Sequence, residues 1–478
     1  MFPRKESMFR CKEQEDDMTR TVIDNGLVVT MDAERTVFAS GHLVVEGAQI
    51  TSVGPGRAAL MPDDEVVDAA GCAVLPGFVN THHHLAATLL RGLGVDRPLR
   101  VTIDAESPTM ALHRAQGEAA CHAGALLAAV ELTRSGVTTT TDSQSPWKGI
   151  GKGDGSLRAA RESGLRIVYS PAFVNRTAMV PVEHHFTVPD AVVEFERLRD
   201  TWSNALVTVI PEVMSLPRGS DELITALHHA GDGRMAMHLT YSAELAEWAR
   251  REYGHSAIEH LDGLGVLHEG FLGAHPVYLT DAEVERFGER GAAGAYCAVS
   301  NMLIGVDHLS IARLRAAGVR MGLGLDYPNH AHNFFETMKI SLLAQKQLAH
   351  DAAVGDAGAA LSWATIDGAE ALGIADKVGS LEPGKLADLQ VIDFRRTHLS
   401  PPAGALSLLV YSGAPEAVRD VMVDGRWLLR DLELVHLDES AVLADATRMQ
   451  LEVARTAGLP DGPLIPENWS LVGAGDLT

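Results

Sequence analysis

From Thr21 onward the apolar residues come in short runs broken by turn residues. TVIDNGLVVTMD and then HLVVEGAQITSVG predict strands joined by tight connections. The same texture returns in GSLEPGKLADLQVIDF (379–394) and RDVMVDGRWLLRD (419–431). In the second, Asp-Gly between two apolar runs is a strong hairpin signal. These two all-β pieces, 18–72 and 376–435, are expected to pair into one small β-sandwich. Residues 1–17 are polar and aperiodic, and are expected to form a disordered, dispensable extension. Residues 436–478 are expected to hold a C-terminal helix and tail.

Between these pieces, over 73–375, the rhythm changes. Short apolar runs alternate with longer Ala-, Leu-, Glu- and Arg-rich stretches that carry apolar residues at helical spacing and end in Gly. The predicted strands are 73–81, 136–143, 166–173, 205–213, 235–239, 271–279, 294–301 and 319–326. Strands alternating with helices give a parallel sheet, and eight such units close a barrel. The expected fold is therefore α/β, a (β/α)8 TIM-type barrel with a small β-sandwich built from both terminal segments. No short repeat and no low-complexity tract interrupts it.

Charge and cysteine content narrow the function. The 40 basic against 63 acidic residues give a formal charge of −23. That leaves no cationic excess to neutralise phosphates, which argues against nucleic acid and an anionic membrane as partners. Cys11, Cys72, Cys121 and Cys297 are scattered, with no CxxC pair. A disulfide framework or thiolate metal site is disfavoured, and a reducing, cytoplasmic setting is expected. The partners expected are a small-molecule substrate and further copies of the chain in a homo-oligomer.

The strongest local signal is PGFVNTHHHL, residues 76–85. On a strand, His82 and His84 share one face and His83 takes the other. Two imidazoles at the end of a barrel strand can share a metal ion. His238 closes MAMH, His275 closes FLGAH and Asp326 closes MGLGLD. Such residues at the C-terminal ends of several strands are what a barrel active site requires, and imidazole with carboxylate suits zinc or iron.

These segments, with GVTTTTD, AHPVYLTDAEVERF, CAVSNMLIGV and ATIDGAEALGIADKVGSLEPGKLADLQVID, make the chain similar to the amidohydrolase superfamily. The resemblance is greatest to the atrazine-chlorohydrolase and guanine-deaminase branch, with phenylurea hydrolases and molinate hydrolase as functional analogies. It implies that His82, His84, His238 and Asp326 hold one divalent metal ion, zinc first and iron second. It further implies that His275 hydrogen-bonds the attacking water or polarises the substrate, and that Asp326 accepts the water's proton. The fourth strand, ALVTVIPEV, has no lysine for a bridging carbamate, so a single metal is expected, with Glu212 the only acid there. Ser300, Asn301 and His330 are expected at the substrate.

One position departs from that branch. Its strand-5 histidine is followed three residues on by a proton-shuttling glutamate, whereas here Tyr241 stands there. A phenol, with a reference pKa of about 10, donates a hydrogen bond to an oxyanion more readily than it carries a proton to a ring nitrogen. The first expectation is therefore a mononuclear hydrolase of an amide, urea or carbamate-type C–N or C–S bond, with catalysis by His275, Asp326 and Tyr241 through metal-bound hydroxide. The alternative is an aminohydrolase or chlorohydrolase acting on a purine or triazine. A non-catalytic scaffold is argued against by the intact histidine and aspartate set. Asp142, at the end of the second strand, is expected to cap rather than catalyse.

Overall fold

The structure is a computed structural model that describes residues 20–459, apart from 94, 98, 103, 105, 106 and 177–180. The expected extension over 1–17 and the tail beyond 459 lie outside the described residues.

Eight barrel strands run parallel in chain order. They are β1 (Phe78–Asn80), β2 (Val137–Gln144), β3 (Arg166–Phe173), β4 (Val207–Val209, resuming as Glu212–Val213), β5 (Met235–His238), β6 (Phe271–Ala274), β7 (Ala293–Tyr296) and β8 (Arg320–Leu323). Their residues are almost all buried, as a sheet covered on both faces demands. β4 breaks at Pro211, which has no N–H to give to the ladder. The barrel closes where Thr81 donates its backbone N–H to Leu323 O (2.9 Å), and Leu325 and Asp326 donate to His82 O (3.0 and 2.9 Å).

Intervening helices are started by side-chain caps. Thr187, Ser220, Ser242, Thr280, Ser310 and Asn333 each accept a backbone N–H from the first turn. Thr280 with Glu283, and Ser256 with Glu259, complete reciprocal capping boxes.

The terminal segments form one continuous nine-stranded sheet rather than two separately bonded layers. Its centre is Cys72–Pro76, which runs parallel to Arg20–Val29 and antiparallel to Leu389–Asp393. The single strand expected over 73–81 is therefore divided between two sheets. The division falls at Gly77, where a Cβ would lie 2.0 Å from Thr138 Cγ2, so only glycine lets the chain pass that close. Beyond the sheet, helix Glu439–Thr456 lays Ala446, Met449 and Val453 over Leu89, Leu90, Leu112 and Ala123. That packing backs the segment immediately following His84.

Two further expectations change. The seventh strand ends at Tyr296, and Ser300 and Asn301 sit on a short helix, Ala298–Leu303. The apolar run GAYCAVSN carries no period that separates strand from helix, so its length was overestimated. β6 likewise ends at Ala274, one residue before His275.

Candidate metal centre

Five of the residues singled out in the sequence meet at the C-terminal mouth of the barrel. One ligand atom each from His82, His84, His238 and Asp326 lie within 4.8 Å of one another. Nε2 of His82 and Nε2 of His84 are both 3.2 Å from Asp326 Oδ1, and His275 Nε2 is 3.4 Å from Oδ2. The strand alternation expected for the triple histidine holds just past the end of β1. His83 turns away and packs its ring against His332, with centroids 4.5 Å apart.

The hydrogen bonds behind these rings show what the centre is built to hold. His84 Nδ1 donates to the carbonyl of Ser143 at 2.7 Å, which leaves Nε2 with its lone pair toward the cluster. His238 Nδ1 lies 3.1 Å from Glu212 Oε1, so its Nε2 also faces inward. The two Nε2 atoms stand 3.3 Å apart. The buried His82 Nε2 has no hydrogen-bond partner. Several imidazole lone pairs converging beside a carboxylate fit a divalent cation, and the donor set suits zinc or iron.

Glu212 does not reach into the cluster as a bridging ligand would. It is buried, accepts from Ser143 Oγ (2.9 Å) and Ser170 Oγ (2.5 Å), and turns its remaining reach toward His238 Nδ1. The carboxylate thus stands 3.1 Å behind the ring of a candidate ligand, without a formed hydrogen bond, in the position from which a carboxylate sets a metal ligand's tautomer.

Electrostatics follow from burial among like neighbours. Desolvation drives His82 down to about 3. Burial alone would raise Asp326, but His275, His82 and His84 outweigh it and hold the carboxyl well below its usual range. Asp142 is pushed up to about 7 by burial, and its Oδ1 accepts the backbone N–H of Leu85 at 2.9 Å. Asp142 thus tethers the turn after His84, close to the capping role expected of it. His275 and Asp326 both adopt left-handed backbone, with φ of 55° and 65°. Non-glycine residues rarely do so, and such outliers gather at functional sites. Gly324 makes room beside them: a Cβ there would lie 2.7 Å from Cys297 Sγ and 3.0 Å from His82 Cβ.

A cavity of about 230 Å³ opens onto His84, His238, His275 and Asp326, and Tyr241 and Ser300 line it. Ser300 donates its hydroxyl to Asp326 Oδ2. Tyr241 follows β5 and sets its ring edge-on to His275, with centroids 6.5 Å apart. Asn301 is fully buried outside the lining, with its Oδ1 3.2 Å from His275 Nδ1. It orients His275 rather than meeting substrate. His330 is also corrected: its ring nitrogens are 2.9 and 3.1 Å from the carbonyls of Ala331 and Leu325, so it fastens its own loop and does not line the cavity. The lining also holds residues the sequence did not single out, namely His113, Trp147, Lys152, Arg218 and Tyr327.

A barrel with this mouth is the architecture of metal-dependent hydrolases, and comparison with known proteins places the chain among them. Residues 73–428 match the amidohydrolase family, and the chain belongs to it. It is 31% identical over 430 residues to a 5-methylthioadenosine/S-adenosylhomocysteine deaminase of Symbiobacterium thermophilum, covering 87% of this chain and 94% of that one. It is 34% identical over 429 residues to a 5'-deoxyadenosine deaminase of Methanothermobacter thermautotrophicus, covering 86% and 95%. Among solved structures, an adenosine deaminase from Xanthomonas campestris with bound zinc superposes with a TM-score of 0.81 at 25% identity, over 91% of this chain and 99% of that one. An atrazine chlorohydrolase from Arthrobacter aurescens, complexed with zinc, shares the fold with a TM-score of 0.83 at 20% identity, over 90% and 100%. The chain is a hydrolase acting on carbon–nitrogen bonds other than peptide bonds. Within that class these relatives favour the aminohydrolase alternative over the amide, urea or carbamate reading placed first.

Proposed function

We propose that the chain is an aminohydrolase that releases ammonia from the amino-substituted ring of a purine nucleoside, working with one divalent ion, zinc before iron. The observation that carries this reading is the near full-length similarity to deaminases of 5'-modified adenosines, joined to the His82, His84, His238 and Asp326 cluster. A divalent ion there would lower the pKa of a water molecule to about 7. The chain's own residues do the rest. Asp326 Oδ2, facing Ser300 and His275, accepts the water's proton and returns one to the departing nitrogen. His275, held by Asn301, stands where it can hydrogen-bond the attacking water. Tyr241 lines the cavity beside His275, where its O–H can donate to the ring nitrogen as charge builds there. Operation in the cytoplasm as a homo-oligomer belongs to the same proposal, the scattered cysteines without a CxxC pair supporting the reducing setting.

Tyr241 also favours a second reading. Beside the metal ligands, a phenol suits the oxyanion of an attacked carbonyl, as in hydrolysis of an amide, urea or carbamate. Two substrates separate the readings. The zinc-loaded protein should release ammonia from 5-methylthioadenosine with loss of the adenine spectrum, and leave N,N-dimethyl-N'-phenylurea intact. Release of aniline from the urea, with 5-methylthioadenosine untouched, would reverse the order.

A further inference from the structure

Away from the barrel mouth, two pairs of histidines bring ring nitrogens together among the described residues, and they are built differently. In the first, His228 Nε2 and His268 Nε2 stand 2.7 Å apart. The backbone N–H of Gly270 donates to His268 Nδ1 at 3.1 Å, which keeps the ring proton of His268 on Nε2. That N–H points at His228, so the pair is a hydrogen bond with no second lone pair to offer.

The second pair has the opposite polarity. His260 Nε2 donates to Asp221 Oδ1 at 3.0 Å, which leaves Nδ1 with its lone pair. His255 Nε2 stands 3.1 Å from that Nδ1. His255 Nδ1 has no hydrogen bond among the described residues, so nothing fixes the ring proton on Nε2. Once the proton moves to Nδ1, both facing nitrogens present lone pairs. The barrel mouth follows the same plan: His84 spends one nitrogen on the carbonyl of Ser143, and its other nitrogen stands 3.3 Å from that of His238. Two imidazoles on a tetrahedral zinc, bonded at about 2.0–2.1 Å, have nitrogens roughly 3.3 Å apart.

The chain holds this pair firmly. Gly254, at φ 75°, ends helix Ala243–Tyr253 and sets His255 just before Ser256, the cap of helix Ala257–Gly263. The Ser256–Glu259 capping box fixes that turn, and the Tyr253 ring stacks on His260 with centroids 3.5 Å apart. Asp221 opens the neighbouring helix Asp221–Ala230, and its carboxylate stands behind His260 as second-layer carboxylates stand behind metal-bound imidazoles. His260 is buried while His255 is exposed, so an ion can arrive from solvent and keep water on its remaining positions.

We propose that His255 Nε2 and His260 Nδ1 hold a second divalent transition-metal ion, zinc in the first place, on the outer helix layer. The site is separate from the mouth, since none of Asp221, His255 and His260 lines the cavity, and it is independent of the substrate. With two protein ligands it is the weaker and more exchangeable of the two, emptied by desalting. Zinc bound there would tie the turn before helix Ala257–Gly263 to that helix, and through Asp221 to its neighbour.

Calorimetric titration of zinc chloride into the full-length protein, loaded with zinc and desalted beforehand, should show a further equivalent binding at submillimolar concentration. His255→Ala, at an exposed position, should weaken that equivalent at least about tenfold, and Asp221→Asn, which removes the charge behind His260, about 10- to 100-fold. His228→Ala, in the hydrogen-bonded pair, should leave it unchanged. Absence of a further equivalent would overturn the assignment. So would an affinity that survives either His255→Ala or Asp221→Asn, or one that falls equally in His228→Ala. Because metal uptake is read directly, failure of the deaminase reading would leave the outcome untouched.

Discussion

At the N-terminal end of the barrel, Arg166 opens β3 and reaches Asp388 of the terminal sheet with two hydrogen bonds, 2.8 and 3.1 Å. The guanidinium also gives a bond to the carbonyl of Ala205, and Asp388 accepts the backbone N–H of Asp424. Charge and hydrogen-bonding capacity are matched there within the protein. At the opposite end, His82 Nε2 is buried 3.2 Å from Asp326 Oδ1 without forming a hydrogen bond, two histidine Nε2 atoms face each other at 3.3 Å, and Lys152 has no carboxylate partner among the described residues. Both ends bury ionisable groups, but the Arg166–Asp388 pair is matched within the protein, whereas the mouth brings imidazoles together around one carboxylate. Incomplete satisfaction of buried polar groups is costly, and at a mouth lined by converging imidazoles it points to a ligand.

That contrast predicts which measurement each end should move. The largest effect belongs to the mouth: His238→Ala should empty the metal site and lower turnover by at least about a thousandfold, with the circular dichroism spectrum unchanged. Retained metal by elemental analysis would remove His238 from the ligand set. At the other end, Asp388→Ala strands Arg166 and should destabilise the protein by about 3–5 kcal/mol in denaturant titration, while turnover per folded molecule stays the same. A specific loss of turnover there would erase the distinction between the ends.

Glu212→Gln tests a position between these extremes, where a matched network supports an unmatched ligand. Metal affinity, followed by competition with a chelator, should fall about 10- to 100-fold. An unchanged affinity would show that Ser143 and Ser170 are Glu212's only business. The smallest effect is the pH dependence of stability from Lys152. Its folded pKa of about 8 lies below the ordinary lysine value of 10.5, so from about pH 8 to 10.5 the unfolded chain binds more protons than the folded one. Stability should therefore gain from this group as pH rises through that window, and Lys152→Met should flatten the gain. A slope identical in both proteins would place Lys152 in a better-solvated setting than its burial indicates.

What could be read from the sequence follows from geometry that is local in the chain. His82, His84, His238, His275 and Asp326 were legible because each lies at the end of an apolar run, and strand ends converge in a barrel. Ser300 and Asn301 were legible as neighbours of the site but were assigned to a strand, because five apolar residues in succession mark burial without marking period. Glu212 was noticed as the lone acid of its strand. That it faces Nδ1 of His238, from outside the cluster, depends on the side-by-side register of β4 and β5. His330 looked well placed only because it follows Asp326 closely. Lys152 and Trp147 gave no signal: they sit in and after the loop following β2, and only the folded barrel turns that loop over the mouth. The same holds for Arg218, whose neighbours in sequence are ordinary loop and helix-cap residues.

The shared segment around Gly77 has a bearing on how the protein is made. Cys72–Pro76 and β1 are one stretch of chain serving two sheets, and each sheet waits for a different later partner. Thr81 meets Leu323 across 242 residues, whereas Pro76 meets Gln390 across 314. On a ribosome the barrel's closing strand is therefore synthesised before the strand that covers the free edge of Cys72–Pro76. By the time Leu389–Asp393 emerges, all four residues of the candidate metal centre have already emerged. Until that strand arrives, one edge of Cys72–Pro76 is an open template for pairing with another chain. Metal supplied during synthesis would favour the closed barrel before that edge is covered.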